Sequence, residues 1–228
     1  MAFSLLDWVA LAFFVAAWIA YHVAVELTPA GGHSLNRVMN EHRRGWMERM
    51  LSRENRVVDT TIMASLQNGT AFFASTSLLA VGGSLALLRT PDEVLGLFDG
   101  LPFGSAGSRA AFEAKALGLA VIFVYAFFKF AWSYRLFNYA AILVGAVPLH
   151  RIPPDPDGLA AAHRAAAMTT VAGTHFNRGQ RAFFFALAYL GWFVGAGAFI
   201  AATAAALLVM WRRQFASDAL AALAGAPR

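Results

Sequence analysis

Polar and charged side chains recur at helical spacing inside two otherwise apolar stretches of the sequence. In the first stretch, intervals of four, three, four and three residues place the side chains on one helix face. They belong to Thr61, Ser65, Asn68, Phe72 and Ser75. In the second stretch Lys129, Trp132 and Arg135 lie within one arc of about 120°, and Asn138 follows them. Because hydroxyls, amides and cations can replace the hydration shell of an anion, these residues are candidates for lining a pore.

Charged residues also lie where the apolar stretches are expected to reach the cytoplasmic side. Besides Lys129 and Arg135, they are His22, Glu26, Asp59, Arg178 and Arg181. Charge pairs at a partly dry depth can hold helices in one arrangement, so one interpretation is a salt-bridged collar that fixes a bundle. A second is the mouth of an ion or substrate path lined by Lys129, Arg135 and Asn68. A third is a pocket for the headgroup of an anionic lipid.

The sequence lacks the motifs of enzymatic and cofactor chemistry. It has no cysteine, which excludes disulfides and thiolate sites. It has no HExxH motif, Walker A loop, GxSxG elbow or GxGxxG turn. Of six histidines only His22 lies inside an apolar stretch, whereas a haem held between helices usually takes imidazoles from facing helices. We therefore expect no enzymatic activity, no cofactor and no metal site.

The elements that must position these residues are membrane helices. Hydrophobic residues make up 59% of the 228 residues, charged residues only 14%, and the mean hydropathy is +0.56. A soluble domain carries about a quarter charged residues, so a soluble enzyme is excluded. A bilayer core about 30 Å thick needs about 20 apolar residues per helix, and the segments 5–25, 61–88, 111–134 and 182–211 qualify. The sequence predicts an all-α, polytopic bundle of four transmembrane helices forming a single membrane domain, 1–228.

The basic residues give the expected orientation of the bundle. The connections 26–60 and 135–181 carry eleven Arg or Lys residues, and the opposite side carries six. Cytoplasmic loops are enriched in these residues, so we expect both connections in the cytoplasm and both termini in the periplasm. Arg212 and Arg213 go against this trend. The net charge of +5 favours lipid headgroups over nucleic acid as a partner.

Both connections are expected to contain amphipathic cytoplasmic helices. Apolar residues recur near helical spacing within 34–58, namely Leu35, Met39, Trp46, Met50 and Val57. This helix could lie at the headgroups or pack on the protein's own cytoplasmic face, and the sequence leaves both open. The alanine-rich stretch 158–172 follows a Pro-rich break at 152–156 and is also expected to be helical. The third span is expected to continue as a helix towards Pro148.

A GxxxG motif lies in the fourth predicted span. Gly191 and Gly195 are followed by several alanines and by Gly197, and such small residues let helix backbones approach closely. The contact could form within the chain or between protomers. We expect it to support a homo-oligomer.

Several motifs together resemble one known family. They cover 44–47 (RGWM), 53–59 (RENRVVD), 65–76 (SLQNGTAFFAST), 127–139 (FFKFAWSYRLFNY) and 175–188 (HFNRGQRAFFFALA). These segments are similar to the bacterial branch of domain of unknown function five-nine-nine, and the resemblance extends over about residues 4–212. It implies a four-span integral membrane protein and no established activity.

Two functions are compatible with these features. The first is an oligomeric channel or conduit for anions or small solutes in the bacterial inner (cytoplasmic) membrane, lined by the polar residues of the second span. The alternative is a non-transporting scaffold or accessory subunit that binds lipid or another membrane complex. The two differ in whether the stripe from Thr61 to Ser75 faces water or packs dry against the helix of Lys129.

Overall fold

The computed structural model describes residues 3–89, 91, 96, 108–148 and 156–223, and these residues form helices and no strand. The helices are α1 (Leu5–Glu26), α2 (Leu35–Met50), α3 (Val57–Ala86), α4 (Arg109–Ala146), α5 (Pro156–Val194), α6 (Ala196–Phe215) and α7 (Asp218–Leu223). A short 3-10 turn, Pro29–His33, joins α1 to α2. The all-α prediction is confirmed. Most of the acidic connection after α3 and the Pro-rich break before α5 lie outside the described residues.

Four helices are long and apolar enough to cross a membrane, as predicted. They are α1, α3, α4 and α6, the last counted together with α7. The third predicted span does continue as a helix, because α4 runs unbroken for 38 residues to Ala146. At 1.5 Å per residue α4 is about 57 Å long, nearly twice the thickness of a hydrocarbon core.

The predicted fourth span, 182–211, is wrong as a single helix. The chain breaks at Gly195, where φ is 159° and ψ is 164°, a conformation that residues with a Cβ rarely adopt. The chain then reverses, since the ring of Trp192 stacks on that of Phe199 with centroids 5.1 Å apart. An alanine-rich run fits a continuous helix equally well on propensity alone, so only the packing reveals the reversal.

The first compact unit comprises Met1–Leu35, Ser77–Ala126 and Gln180–Arg228. Its frame is set by α1, along which the end of α5 and all of α6 pack. Near the start of α1, Trp192 Nε1 donates a hydrogen bond to Asp7 Oδ1 over 2.7 Å. Nearer its end, the Tyr21 hydroxyl donates to the Met210 carbonyl oxygen over 3.1 Å. The end of α5 therefore runs antiparallel to α1, whereas α6 runs parallel to it.

The parallel course of α6 differs from the single crossing that the sequence predicts for 182–211. Within the first unit, Ser4 lies at the Asp7 end of α1, whereas Arg212, Arg213 and Phe215 follow Met210 at the opposite end. The reversal at Gly195 divides that stretch into two segments of opposite direction. The expected location of both termini in the periplasm stays a prediction.

The second compact unit comprises Asn36–Thr76 and Phe127–Gly179. It has a hydrophobic core of its own, to which α2 contributes the fully buried Met47 and Met50. Phe137 and Ala140 of α4 and Ala162 of α5 belong to the same core. Of the two arrangements left open for the first connection, the structure has the one in which α2 packs on the protein's own helices.

Candidate functional site

The most deeply buried charge in the second unit is the carboxylate of Asp59, in the first turn of α3. Trp46 Nε1 donates a hydrogen bond to its Oδ1 over 2.6 Å, and Arg53 Nη1 donates to the same oxygen. The sequence brings the three together because α2 ends at Met50 and a short turn returns the chain to α3. We call Trp46, Arg53 and Asp59 the Asp59 cluster. It fastens the end of α2 to the start of α3.

Arg56 holds the end of α4. Its Nη1 donates to the carbonyl oxygen of Val147 over 2.7 Å, and its Nη2 donates to that of Pro148. The last carbonyls of a helix have no intrahelical donors and carry partial negative charge, so a guanidinium caps them well. The sequence analysis does not predict Trp46, Arg53 or Arg56 as site residues, although all three lie in the motifs RGWM and RENRVVD.

A third polar contact joins α2 to α5. Glu48 Oε1 lies 2.8 Å from His163 Nε2 and accepts a hydrogen bond from Arg44 Nε over 3.2 Å. The hydrogen bond from His163, with a smaller contribution from Arg44, lowers the pKa of Glu48 below its ordinary value of 4.5. On the same helix, burial lowers the pKa of the Arg43 guanidinium. The absence of a side chain at Gly173 leaves room for that group, because a Cβ there would lie 2.8 Å from Arg43 Cζ.

The predicted polar stripe of α3 faces outward from the chain. All its members are exposed, including Phe72 at 66%: Thr61, Ser65, Asn68, Phe72 and Ser75. The opposite face of the same helix carries the buried Met63 and Thr70. Among the described residues, the stripe therefore neither lines an interior path nor packs against α4. Part of its polarity is satisfied locally, since the Thr61 hydroxyl donates to the Val57 carbonyl oxygen over 2.8 Å.

An amide pair off the stripe is one of the contacts between α3 and α4. Gln67 Nε2 donates to Asn138 Oδ1 over 2.7 Å. Asn138 therefore joins α4 to α3 instead of lining a path. Gln67 is not among the predicted site residues, because it lies beside the stripe and not on it. The identity of its partner depends on how α3 and α4 pack.

The cationic residues of α4 lie on a partly exposed face. Arg135 is exposed and its Nε donates to the Tyr139 hydroxyl over 2.6 Å. Trp132 is 46% exposed, and its ring meets that of His175 edge to face with centroids 6.5 Å apart. Lys129 is half-buried on the same helix. Trp132 and Arg135 therefore lie at the surface of the second unit, and Lys129 is partly buried.

In the first unit, three of the predicted collar residues do come together. Arg181 donates to Glu26 through Nη2, and its Nη1 lies 3.4 Å from His22 Nδ1. The guanidinium also lies over the ring of Tyr21, 5.8 Å from its centroid. Asp59 and Arg178 belong to the second unit, where Asp59 has the partners described above. These contacts join α1 to α5 within the first unit. They are compatible with the first interpretation of the collar, in which salt bridges hold the helices in one arrangement.

The GxxxG motif makes its contact within the chain. A Cβ at Gly191 would lie 2.9 Å from the Ala198 carbonyl oxygen and 3.2 Å from the side chain of Ala202. Gly195 is the point of reversal itself. Both glycines therefore serve the hairpin of α5 and α6.

Comparison with known proteins gives one match. A family model described as a protein of unknown function, DUF599, matches residues 9–219, which is nearly the whole chain. No curated protein and no solved structure matches the chain.

Proposed function

The chain belongs to the family of proteins of unknown function DUF599, and on that premise we propose that it is a non-transporting membrane scaffold without enzymatic activity. One observation carries the proposal: the polar groups that could line a path either face outward on α3 or are engaged between helices. Asn68 is exposed, whereas Asn138 is bound by Gln67. A path through one chain would need both amides to face a common interior.

Aromatic packing supports the same conclusion for each unit taken by itself. In the first unit the ring of Phe14 lies 5.0 Å from that of Phe199 and 5.4 Å from that of Phe185, centroid to centroid. In the second unit the ring of Phe130 stacks on that of Phe73 at 5.3 Å. Close-packed interiors of this kind hold helices rigidly. Such rigid packing favours a scaffold that presents surfaces to partners over a conduit for ions or small solutes.

The surface we assign to self-association is the outward stripe of α3. An amide facing hydrocarbon is costly without a partner, and amides hydrogen-bond across membrane helices. In a homodimer with its two-fold axis along the membrane normal, Asn68 of one copy meets the same residue of the other at equal depth. An amide both donates and accepts, so the pair is self-complementary. Gly69 has nothing within 4 Å of a Cβ position and leaves room for close approach.

The conduit hypothesis requires an assembly of more copies than the proposed dimer. Four or more copies could turn their α3 stripes towards one axis, with Lys129 and Arg135 attracting anions. The proposed location is the bacterial inner membrane, with the start of α1 on the periplasmic side and anionic lipid headgroups as partners. Because α6 runs parallel to α1 in the first unit, we propose the cytoplasmic side for Phe215.

Two Asn→Leu variants test the scaffold proposal by native mass spectrometry of protein released from nanodiscs. We expect a dimer for the wild type and a monomer for Asn68→Leu, because the outward amide holds the pair. The matched control Asn138→Leu removes an inward amide, so it should lower the unfolding temperature and leave the dimer intact. A monomeric wild type, or a dimer unaffected by Asn68→Leu, would overturn self-association along α3.

Flux measurements distinguish the scaffold from the conduit. Liposomes containing the wild type should show no anion flux above that of protein-free liposomes, and Lys129→Met should change nothing. A ring of four or more copies whose flux falls in both Lys129→Met and Asn68→Leu would replace the scaffold with the conduit.

A further inference from the structure

We propose that a cavity between α1, α4 and the end of α5 in the first unit binds the ring of a membrane-dissolved quinone. The cavity has a volume of about 370 Å³, within the usual range of ligand sites, about 300–1,000 Å³. Trp8 of α1 and Val121 of α4 line it and are both more than half exposed. It therefore opens on the surface between two helices that are long and apolar enough to cross a membrane. A ligand would enter it from the bilayer.

The walls of the cavity favour a flat and neutral ligand. The ring of Tyr189 packs edge to face against those of Phe14 and Trp192, with centroids 5.6 and 5.4 Å apart. Aromatic side chains stack well on flat conjugated rings. None of the described lining residues is charged, and burial of an unpaired anion is costly, which disfavours a phosphate or a carboxylate. Aromatic residues form half of the described lining, namely Phe3, Trp8, Phe14, Tyr189 and Trp192.

Tyr189 supplies the hydrogen-bonding group of the cavity. Its side chain is only 4% exposed, yet its hydroxyl forms no hydrogen bond within the described part of the chain. A Cβ at Gly118, in the facing wall on α4, would overlap this hydroxyl. The neighbouring Trp192 Nε1 already donates to Asp7 Oδ1. Because buried polar groups are nearly always hydrogen-bonded, an acceptor for the Tyr189 hydroxyl is expected inside the cavity.

A quinone meets each of these requirements. Its ring is flat, conjugated and neutral, and its carbonyl oxygen can accept a hydrogen bond from the Tyr189 hydroxyl. Its apolar tail keeps it in the bilayer on which the cavity opens. A phospholipid acyl chain would fill the apolar space but leave the hydroxyl without an acceptor. The site belongs to the first unit alone, so it is independent of self-association through Asn68.

Native mass spectrometry of protein released from phosphatidylcholine nanodiscs that contain decylubiquinone tests this site. We expect the wild type to retain one quinone per chain. Tyr189→Phe removes only the hydroxyl and should reduce retention about tenfold, because the buried carbonyl loses its donor. Tyr21→Phe is the matched control, since the Tyr21 hydroxyl donates to the Met210 carbonyl oxygen over 3.1 Å, and it should leave retention unchanged. A wild type without quinone, or equal losses in the two variants, would overturn the site.

A second probe, decylbenzene, distinguishes recognition of a carbonyl from uptake of any apolar chain. It has a flat ring and a tail of the same length but no carbonyl, so the wild type should retain it about tenfold less than the quinone. Equal retention of the two probes by the wild type would show a site for apolar chains and overturn the quinone assignment.

A larger side chain in the cavity wall tests the location of the site. Ala114→Leu fills the cavity from α4 and should reduce retention of the quinone. Ala110→Leu makes the same change one turn earlier on α4, at an exposed residue outside the described lining, and should not. Retention unchanged by Ala114→Leu would overturn the location. Helical content measured by circular dichroism verifies that each variant folds.

Discussion

Because the carboxylate of Asp59 is buried, we expect Asp59 and its partner Arg53 to differ in how much their removal lowers the free energy of unfolding. Asp59 is fully buried, whereas the side chain of its partner Arg53 is 37% exposed. Removing the arginine leaves a buried charge with only Trp46 as donor, while removing the carboxylate leaves a cation that can reach water. The consequence of a substitution here therefore depends on which partner remains.

We accordingly expect Arg53→Ala to lower the free energy of unfolding by about 3 kcal/mol and Asp59→Asn by only about 1 kcal/mol. Helicity followed through a denaturing detergent titration measures both. Arg49→Ala is the matched control, since Arg49 is exposed on α2 and its loss should change the free energy by less than about 0.5 kcal/mol. Equal effects of Arg53→Ala and Asp59→Asn would contradict the assigned asymmetry.

The contact of Glu48 with His163 predicts a dependence on pH. The pKa of Glu48 is lowered in the folded state, so its stabilising contribution is present above the ordinary carboxylate pKa and is lost as pH falls through the lowered value. Glu48→Gln should therefore lower the unfolding temperature at pH 7. The difference between variant and wild type should shrink as the pH falls through this lowered pKa, because the wild-type carboxyl then becomes protonated. A difference that stays constant with pH would contradict this assignment.

At the scale of elements, the reversal between α5 and α6 depends on one glycine. Gly195→Ala places a Cβ on a backbone with a φ of 159° and should lower the free energy of unfolding by about 1–3 kcal/mol. Gly197→Ala is the natural control, because Gly197 lies in α6 and nothing lies within 4 Å of its Cβ position. It should be neutral or stabilising by about 0.4–1 kcal/mol. If both variants unfold like the wild type, Gly195 is not essential for the reversal.

At the scale of the whole molecule, the reversal bears on the two basic residues that go against the predicted orientation. Because α6 runs parallel to α1 in the first unit, Arg212 and Arg213 lie at the Glu26 end of α1. In the orientation that we propose this end is cytoplasmic, so both arginines follow the positive-inside rule.

Cysteine labelling tests this orientation directly, since the natural chain has no cysteine. Single cysteines replacing Leu5, Leu27 and Ala219, all exposed, are treated with a membrane-impermeant maleimide in sealed vesicles of known orientation. We expect the cysteines at 27 and 219 to react from the cytoplasmic side and the cysteine at 5 from the periplasmic side. Labelling of 5 and 219 from the same side would restore the original prediction.

The sequence by itself determined the helices and the family. Apolar composition over about 20 residues and helical periodicity are local properties, so α1, α3 and α4 could be located before the packing was known. The same periodicity correctly grouped Thr61, Ser65, Asn68 and Ser75 on one face. The motifs RGWM and RENRVVD marked the segment that holds Asp59, although not its partners.

Only the tertiary structure decided which neighbours each helix face contacts. A helical wheel groups Asn68 with Ser75, but whether that face is inward depends on the neighbours of α3. One of them, Asn138, is 71 residues from its partner Gln67. Gly195 is one small residue in an alanine-rich run, compatible with a continuous helix until Trp192 packs on Phe199. Arg53 and Trp46 likewise gained a role only when α2 packed on α3. Partners distant in sequence leave no periodic signal, because their contact is set by packing between helices and not by the local chain.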